Sequence, residues 1–229
     1  MRLRFARKPL LPCLRGVGLA VSALAAAVLA PGPAAAAETK IEPSAFRVVE
    51  RDSGPVNYYS VLTEEGVTFL RARYRPPLKT VVLGWQASKE QRRPLSLSWK
   101  WRARQLPAGG DECRDGKGDS AAVVYVTWKR GLRYYTLKYV WSAVGKKGQV
   151  CDRKRNPFVA QDTIILDSGP PLDTWKTVRL DLPAQFRSRF EDGDASAEVP
   201  DFAGVGVMSD GDQTRSESAA DYRDFTLVF

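Results

Sequence analysis

Leu95-Ser-Leu-Ser-Trp-Lys-Trp-Arg-Ala103, then Gly109-Gly-Asp-Glu-Cys-Arg-Asp-Gly-Lys-Gly-Asp119, then Ala121-Ala-Val-Val-Tyr-Val-Thr-Trp128 is the stretch that decides the fold class of this chain. The first segment alternates apolar and polar residues without a break, so a pleated strand carries Leu95, Leu97, Trp99, Trp101 and Ala103 on one face toward a core. The second is too rich in glycine for regular structure and gathers Asp111, Glu112, Asp115 and Asp119. The third is apolar on both faces, with Val124, Val126 and Trp128 on one and Val123 and Tyr125 on the other. A strand of that kind belongs in the middle of a sandwich.

Working outward, strand patterns recur at Phe46–Val49, Asn57–Leu62, Val67–Arg73, Val81–Trp85, Arg133–Trp141, Thr163–Asp167, Thr177–Leu182, Gly204–Met208 and Asp224–Phe229. Turn residues separate them, as at Glu64-Glu-Gly66. The only helical pattern is short, Pro183–Phe190, where Phe186 and Phe190 share a face and would cap one end of the strands. Long helices between strands are missing, which argues against α/β architectures. The expectation is an all-β, two-sheet antiparallel sandwich of jelly-roll type.

The first 37 residues read as a secretory signal: basic Arg2, Arg4, Arg7, Lys8 and Arg15, an apolar run from Val17 to Ala30, and Ala35-Ala-Ala37 before a cleavage site at Glu38. The apolar run is shorter than the roughly 20 residues of a membrane span. A periplasmic or secreted protein is expected, with residues 38–229 as a single domain and no transmembrane segment after cleavage. Without the signal the chain holds 30 basic and 26 acidic residues, a net charge of +4 rather than +9, which removes the case for a nucleic-acid partner. Lys146, Lys147, Arg153, Lys154 and Arg155, like Arg92 and Arg93, read as solvated charge.

Export leaves Cys113 and Cys151 as an even pair in an oxidising compartment. If Ala121–Trp128 and Arg133–Trp141 form a hairpin around Lys129-Arg-Gly-Leu132, the chain before the first and after the second emerges at the same end. A Cys113–Cys151 disulfide is therefore expected.

The chain contains no histidine. Ser-His-Asp and Cys-His hydrolases, imidazole-ligated zinc and histidine acid–base catalysis are excluded. Catalysis would have to rest on carboxylates, tyrosine, lysine or arginine. A second acidic group, Asp210-Gly-Asp212-Gln-Thr214, follows the strand Gly204–Met208, with Glu217, Asp221 and Asp224 downstream. Such residues either cap turns or, spaced two apart, converge on a hard cation such as Ca2+, for which Asp210, Asp212 and Asp224 are the candidate ligands. Trp85, Tyr134, Tyr135 and Trp141 would stack on sugar rings where they reach the surface, and otherwise belong to the core.

Several of these segments, in order, resemble the bacterial family known as domain of unknown function 3047: Leu95–Trp128, the Tyr135-Thr-Leu-Lys-Tyr-Val-Trp141 strand, Asn156-Pro-Phe158, and Gly204–Thr214 running on to Tyr222-Arg-Asp224. The resemblance implies an exported jelly-roll sandwich similar to galactose-binding-like carbohydrate-binding modules. The family's Gly-Asp-Asp is matched at Gly118 and Asp119 with Ser120 in place of the second acid, and its Asp-Asn-Thr at Asp212 and Thr214 with Gln213 in place of Asn. The function expected is a non-enzymatic binding module for a glycan or envelope polysaccharide. Its ligand-binding candidates are Asp119, Asp210, Asp212, Asp224, Tyr134 and Trp141. The alternatives are a carbohydrate-active hydrolase or lyase using carboxylate or tyrosine chemistry, and a structural envelope protein.

Overall fold

The computed structural model describes residues 36–49 and 58–229; the expected signal, up to Ala35, and Asn57 at the head of one expected strand lie outside them. In chain order the strands are β1 (Glu38–Ile41), β2 (Arg47–Val48), β3 (Tyr59–Glu64), β4 (Val67–Tyr74), β5 (Leu83–Gln86) and β6 (Ser96–Gln105). After the long loop come β7 (Ala122–Arg130), β8 (Arg133–Ser142), β9 (Val150–Arg155), β10 (Val159–Ser168), β11 (Lys176–Asp181), the helix α1 (Leu182–Phe190), β12 (Asp201–Met208) and β13 (Ser218–Val228).

They make two sheets, as the alternation requires. One has the order β11-β6-β13-β4-β3, with β1 also paired to β13; the other runs β2-β5-β12-β7-β8-β10-β9. The protein is thus an all-β sandwich of jelly-roll type. β7, apolar on both faces, is the central strand of the seven. One pair departs from the antiparallel expectation: β10 lies parallel to β8. The chain leaves β8, forms β9 at the edge, and returns as β10 between the two. Among the described residues no helix is long and apolar enough to cross a membrane.

The core lies between the sheets. Leu97, Trp99, Trp101 and Ala103 of β6 face Val124, Val126 and Trp128 of β7 and Leu137, Tyr139 and Trp141 of β8, all essentially inaccessible. Leu95, expected on the same inward face, precedes the strand and is exposed. The indoles pack edge to face, Trp99 on Trp101 at 5.7 Å and Trp101 on Trp141 at 6.0 Å between ring centres, the geometry that ring quadrupoles favour. Helix α1 starts where Asp181 accepts the Ala184 backbone N–H at 2.8 Å. Its Phe186 sits 5.5 Å from Trp128 and 5.3 Å from Tyr135, closing one end of the sandwich.

The outer face of the seven-stranded sheet divides in two. At one end Val123, Val140, Ile165, Met208 and Cys151 form a second apolar cluster. There Cys151 of β9 is bonded to Cys113 of the long loop, their Cα atoms 4.8 Å apart. The β7–β8 hairpin does bring the two cysteines to one end, although Cys151 sits in a strand rather than a loop. The other part of that face is open.

Candidate functional site

Two features meet at one end of the seven-stranded sheet: a groove along its open face and a group of three carboxylates at its rim. The register explains the meeting. Met208 pairs with Val123 and Val207 with Leu83, so the end of β12 and the starts of β7 and β5 lie side by side. Asp119 precedes β7, Asp210 and Asp212 follow β12, and Thr80 precedes β5.

One carboxylate oxygen each from Asp119, Asp210 and Asp212 lies within 4.8 Å of the others. Their surroundings differ. Asp119 is wholly buried and caps the loop opposite: it accepts the Thr214 backbone N–H and hydroxyl, both at 2.6 Å, and the Gln213 N–H at 3.3 Å. Asp212 is exposed and accepts the Thr80 hydroxyl at 3.2 Å. Asp210 is 5 % exposed, and its Oδ1 has no hydrogen-bond partner. Its backbone N–H donates to the Ser120 carbonyl at 3.0 Å, which fixes it beside Asp119. Gly211 between the two acids is obligatory, since a Cβ there would lie 2.1 Å from the Ser216 carbonyl oxygen and 2.9 Å from the Tyr74 ring.

The two departures from the family pattern have structural roles here. Ser120 donates to Glu112 at 2.6 Å, and the Glu112 carboxylate also accepts the Ser142 hydroxyl. Gln213 accepts the Gly118 N–H at 2.7 Å. Neither substitution removes one of the three converging acids.

Burial pushes the Asp210 carboxyl up to about 7; Asp119 and Asp212 add to the rise, while Lys138 and the Asp212 backbone N–H oppose it. The ordinary unfolded value is about 3.9, so between these limits the folded chain holds a proton that the unfolded chain has lost. In chelating buffer, stability from this group is greatest below about pH 4, falls as the pH rises to about 7, and stays at its lower level above that. Asp210→Asn, neutral throughout, should flatten that slope in urea unfolding followed from pH 4 to 8, and at pH 8 should be the more stable protein by on the order of 1–4 kcal/mol.

The groove encloses about 560 Å³. Its floor is the outward face of β7, β8 and β12: Thr127 and Thr136, whose hydroxyls lie 3.2 Å apart, and Gly204 and Gly206. Glycine at 206 keeps the floor low, because a Cβ there would come within 2.9 Å of Val82 and 3.4 Å of Tyr125. Tyr125 and Tyr134 stand at its two ends, about 14 Å apart along the strands by their register. Gln86 and Gln161 add amides, and Thr80 belongs to both the groove and the acidic rim. None of the described residues that line it is charged.

Of the residues expected from the sequence, the structure therefore unites Asp119, Asp210 and Asp212 and places Tyr134, 41 % exposed, in the groove. Two expectations are corrected. Asp224 does not join the acids: it sits at a bulge in β13 with φ 56°, on the other sheet, and pairs with Lys100 at 3.1 Å and Arg223 at 3.2 Å. Trp141 is fully buried, its Nε1–H donating to the Gly169 carbonyl at 2.9 Å, so no sugar can stack on it. Tyr135 is likewise in the core, and Trp85 packs against the core beneath the groove edge. The sequence reading missed the groove floor, although the threonines and glycines at its outward positions were visible as a small, polar, uncharged face.

Among solved structures the chain is similar to endoglucanase 3 of Trichoderma harzianum, from family GH12 (11 % identity, 87 % of this chain and 99 % of that one, TM-score 0.42). It is also similar to the xyloglucanase domain of NopAA from Sinorhizobium fredii (10 %, 83 % and 97 %, TM-score 0.44). A third is the family 30 carbohydrate-binding module of a Clostridium thermocellum cellulosomal cellulase (11 %, 83 % and 96 %, TM-score 0.42). No curated protein matches it. The family described as protein of unknown function (DUF3047) matches residues 47–226, most of the chain, and the protein belongs to that family.

Proposed function

We propose that this chain is an exported binding module that holds a neutral glycan in the groove of its seven-stranded sheet. The observation that carries the proposal is the lining of that groove: two tyrosines at the ends, hydroxyls and amides between them, a floor lowered by glycine, and no charge. Sugar rings have apolar faces and hydroxyl edges. Tyrosine rings suit the faces, and Thr127, Thr136, Gln86 and Gln161 suit the edges, because each can donate or accept. A uronic-acid polymer would find no cation between the two tyrosines among the described lining residues and is disfavoured. Lysines stand at the ends, where the Lys129 ammonium lies 5.0 Å from the centre of the Tyr134 ring and Lys138 pairs with Tyr125.

Binding is favoured over hydrolysis for a specific reason. Glycoside cleavage by a carboxylate pair needs two acids about 5–10 Å apart across the bound sugar, and no described residue lining the groove is Asp or Glu. Asp212 is tied to the groove through Thr80 but stands at the rim beyond it. The Cys113–Cys151 disulfide fits an oxidising compartment and supports the exported location.

Native gels cast with a neutral glucan, mannan or xylan test the proposal against gels cast with an acidic polysaccharide. Retardation by at least one neutral polymer, with none by the acidic one and no release of reducing ends, is expected. Free migration through every neutral polymer would overturn it.

A further inference from the structure

The buried carboxylates of this protein fall into two groups. Glu112 accepts two serine hydroxyls, Asp221 is bound by Arg71 and Arg102, Asp162 pairs with Arg155 and Arg189, and Asp167 with Lys176 and the Trp101 indole N–H. The last three have cationic partners, and both oxygens of Glu112 are hydrogen-bonded. Asp210 has no ion pair among the described residues, one oxygen without any partner, and two further carboxylates as its neighbours. An isolated buried carboxylate costs several kcal/mol, and placing it beside two like charges raises that cost. The Lys138 ammonium, whose charge acts on it, donates its hydrogen bond to the Gly118 carbonyl at 3.4 Å.

We infer that Asp119, Asp210 and Asp212 form a calcium site that locks the loop after β12 to the loop before β7. The donor set is made of oxygen alone: the chain has no histidine, and Cys113 and Cys151 are joined to each other. That excludes the soft and imidazole-seeking metals and selects a hard cation. Carboxylate oxygens within 4.8 Å of one another can share an ion with bonds of about 2.3–2.6 Å. The unpartnered Oδ1 of Asp210 then has its counter-charge. Asp119 caps the Gln213 and Thr214 amides in any case, so it would serve both as a turn cap and as a ligand. Asp212 also holds Thr80, so the ion would stiffen the near rim of the groove. Calcium takes roughly six to eight oxygens, and solvent supplies those that the three aspartates do not.

The test uses the cation alone, with no carbohydrate present, so its outcome is separate from that of the glycan proposal. The protein is stripped with chelator, and its melting temperature and binding heats are measured with calcium and with magnesium. At a calcium concentration about 100-fold above the Kd, a rise of about 5–10 °C is expected, with one site per chain and a smaller response to magnesium. Asp210→Asn should melt at or above the wild-type temperature in chelator yet show no rise with calcium. Asp212→Asn, an exposed change that leaves the fold intact, should bind calcium at least 10-fold more weakly. No heat and no shift with calcium, an unaltered response in Asp210→Asn or Asp212→Asn, or a response to magnesium equal to that to calcium would overturn the assignment.

Discussion

Replacing Asp221 by alanine is expected to lower the melting temperature by about 6–20 °C. Asp221 lies in β13 on the outer face of the six-stranded sheet and is inaccessible to solvent. Arg71 grips it with two hydrogen bonds, at 2.8 and 3.0 Å, and Arg102 Nε donates at 2.7 Å. The two guanidinium groups lie over aromatic rings, Arg71 5.0 Å from the centre of Phe69 and Arg102 4.6 Å from that of Trp175. They are mostly buried by this stacking and cannot swing out to water without losing it. Removing the carboxylate leaves Arg71 and Arg102 with only the half-exposed Glu64, at 3.2 and 3.3 Å, as their shared counter-charge, and breaking a buried pair in this way costs about 3–5 kcal/mol. Thermal unfolding followed by circular dichroism measures it. The groove and the carboxylate rim belong to the other sheet, so ligand affinity below the melting transition should be unaffected. Asp221→Asn, which keeps the shape and part of the hydrogen bonding, should lose less.

Reducing the Cys113–Cys151 bond is the second large perturbation. The bond closes a separation of 38 residues, for which the loop-entropy relation gives about 4 kcal/mol. A fall of about 8–16 °C in melting temperature is expected when scans are run with and without a phosphine reductant. A Cys113→Ser, Cys151→Ser double variant should reproduce it. The effect should also be local. Residues 106–121 contain no strand or helix; they are held by the disulfide, by the bonds of Glu112 to Ser120 and Ser142, and by turns such as Lys117 N–H to the Arg114 carbonyl at 3.1 Å. Trypsin cleavage at Arg114 or Lys117 should therefore appear first on reduction.

The central strands and the core they share follow directly from residue patterns. β7 is apolar on both faces because both of its faces are covered where the second apolar cluster lies on the sheet, and β6 alternates because its outward side meets water and arginine. The edge strands β2, β3 and β11 carried a strand pattern, whereas the peripheral strands β9 and β1 were not legible, for the same physical reason in reverse. β9, Val150-Cys-Asp-Arg-Lys-Arg155, reads as a solvated basic run, and charge on an edge is what keeps such a strand from pairing with another molecule. β1 is four residues long and gains its order from pairing with the end of β13, a partner almost two hundred residues away. The parallel β8–β10 pair depends on where β9 returns, which no local pattern encodes.

The acidic residues after β12 show where sequence proximity misleads. Asp210 and Asp212 are held at the end of one sheet, while Asp221 and Asp224, only a few residues on, have crossed to the other. Asp221 becomes the hub of an arginine cluster and Asp224 a surface ion pair. That Asp119 would meet Asp210 follows from the pairing of β7 with β12, which the strand patterns alone leave open. The aromatic candidates carried more information than composition suggests. Tyr134 and Trp141 are seven residues apart in one strand, so a two-residue period puts them on opposite faces, and only one could reach the groove.

The claim that the groove binds a neutral glycan is tested most directly by titration calorimetry with whichever neutral polysaccharide retards the protein, on the wild type and two variants. Tyr134→Ala removes an exposed ring at one end of the groove, and Thr136→Arg places bulk and charge on its floor; both alter outward positions and should leave the melting temperature within a few degrees. Binding by the wild type, affinity about 10-fold or more lower in Tyr134→Ala, and no detectable heat with Thr136→Arg are expected. Wild-type affinity retained in both variants would contradict the claim.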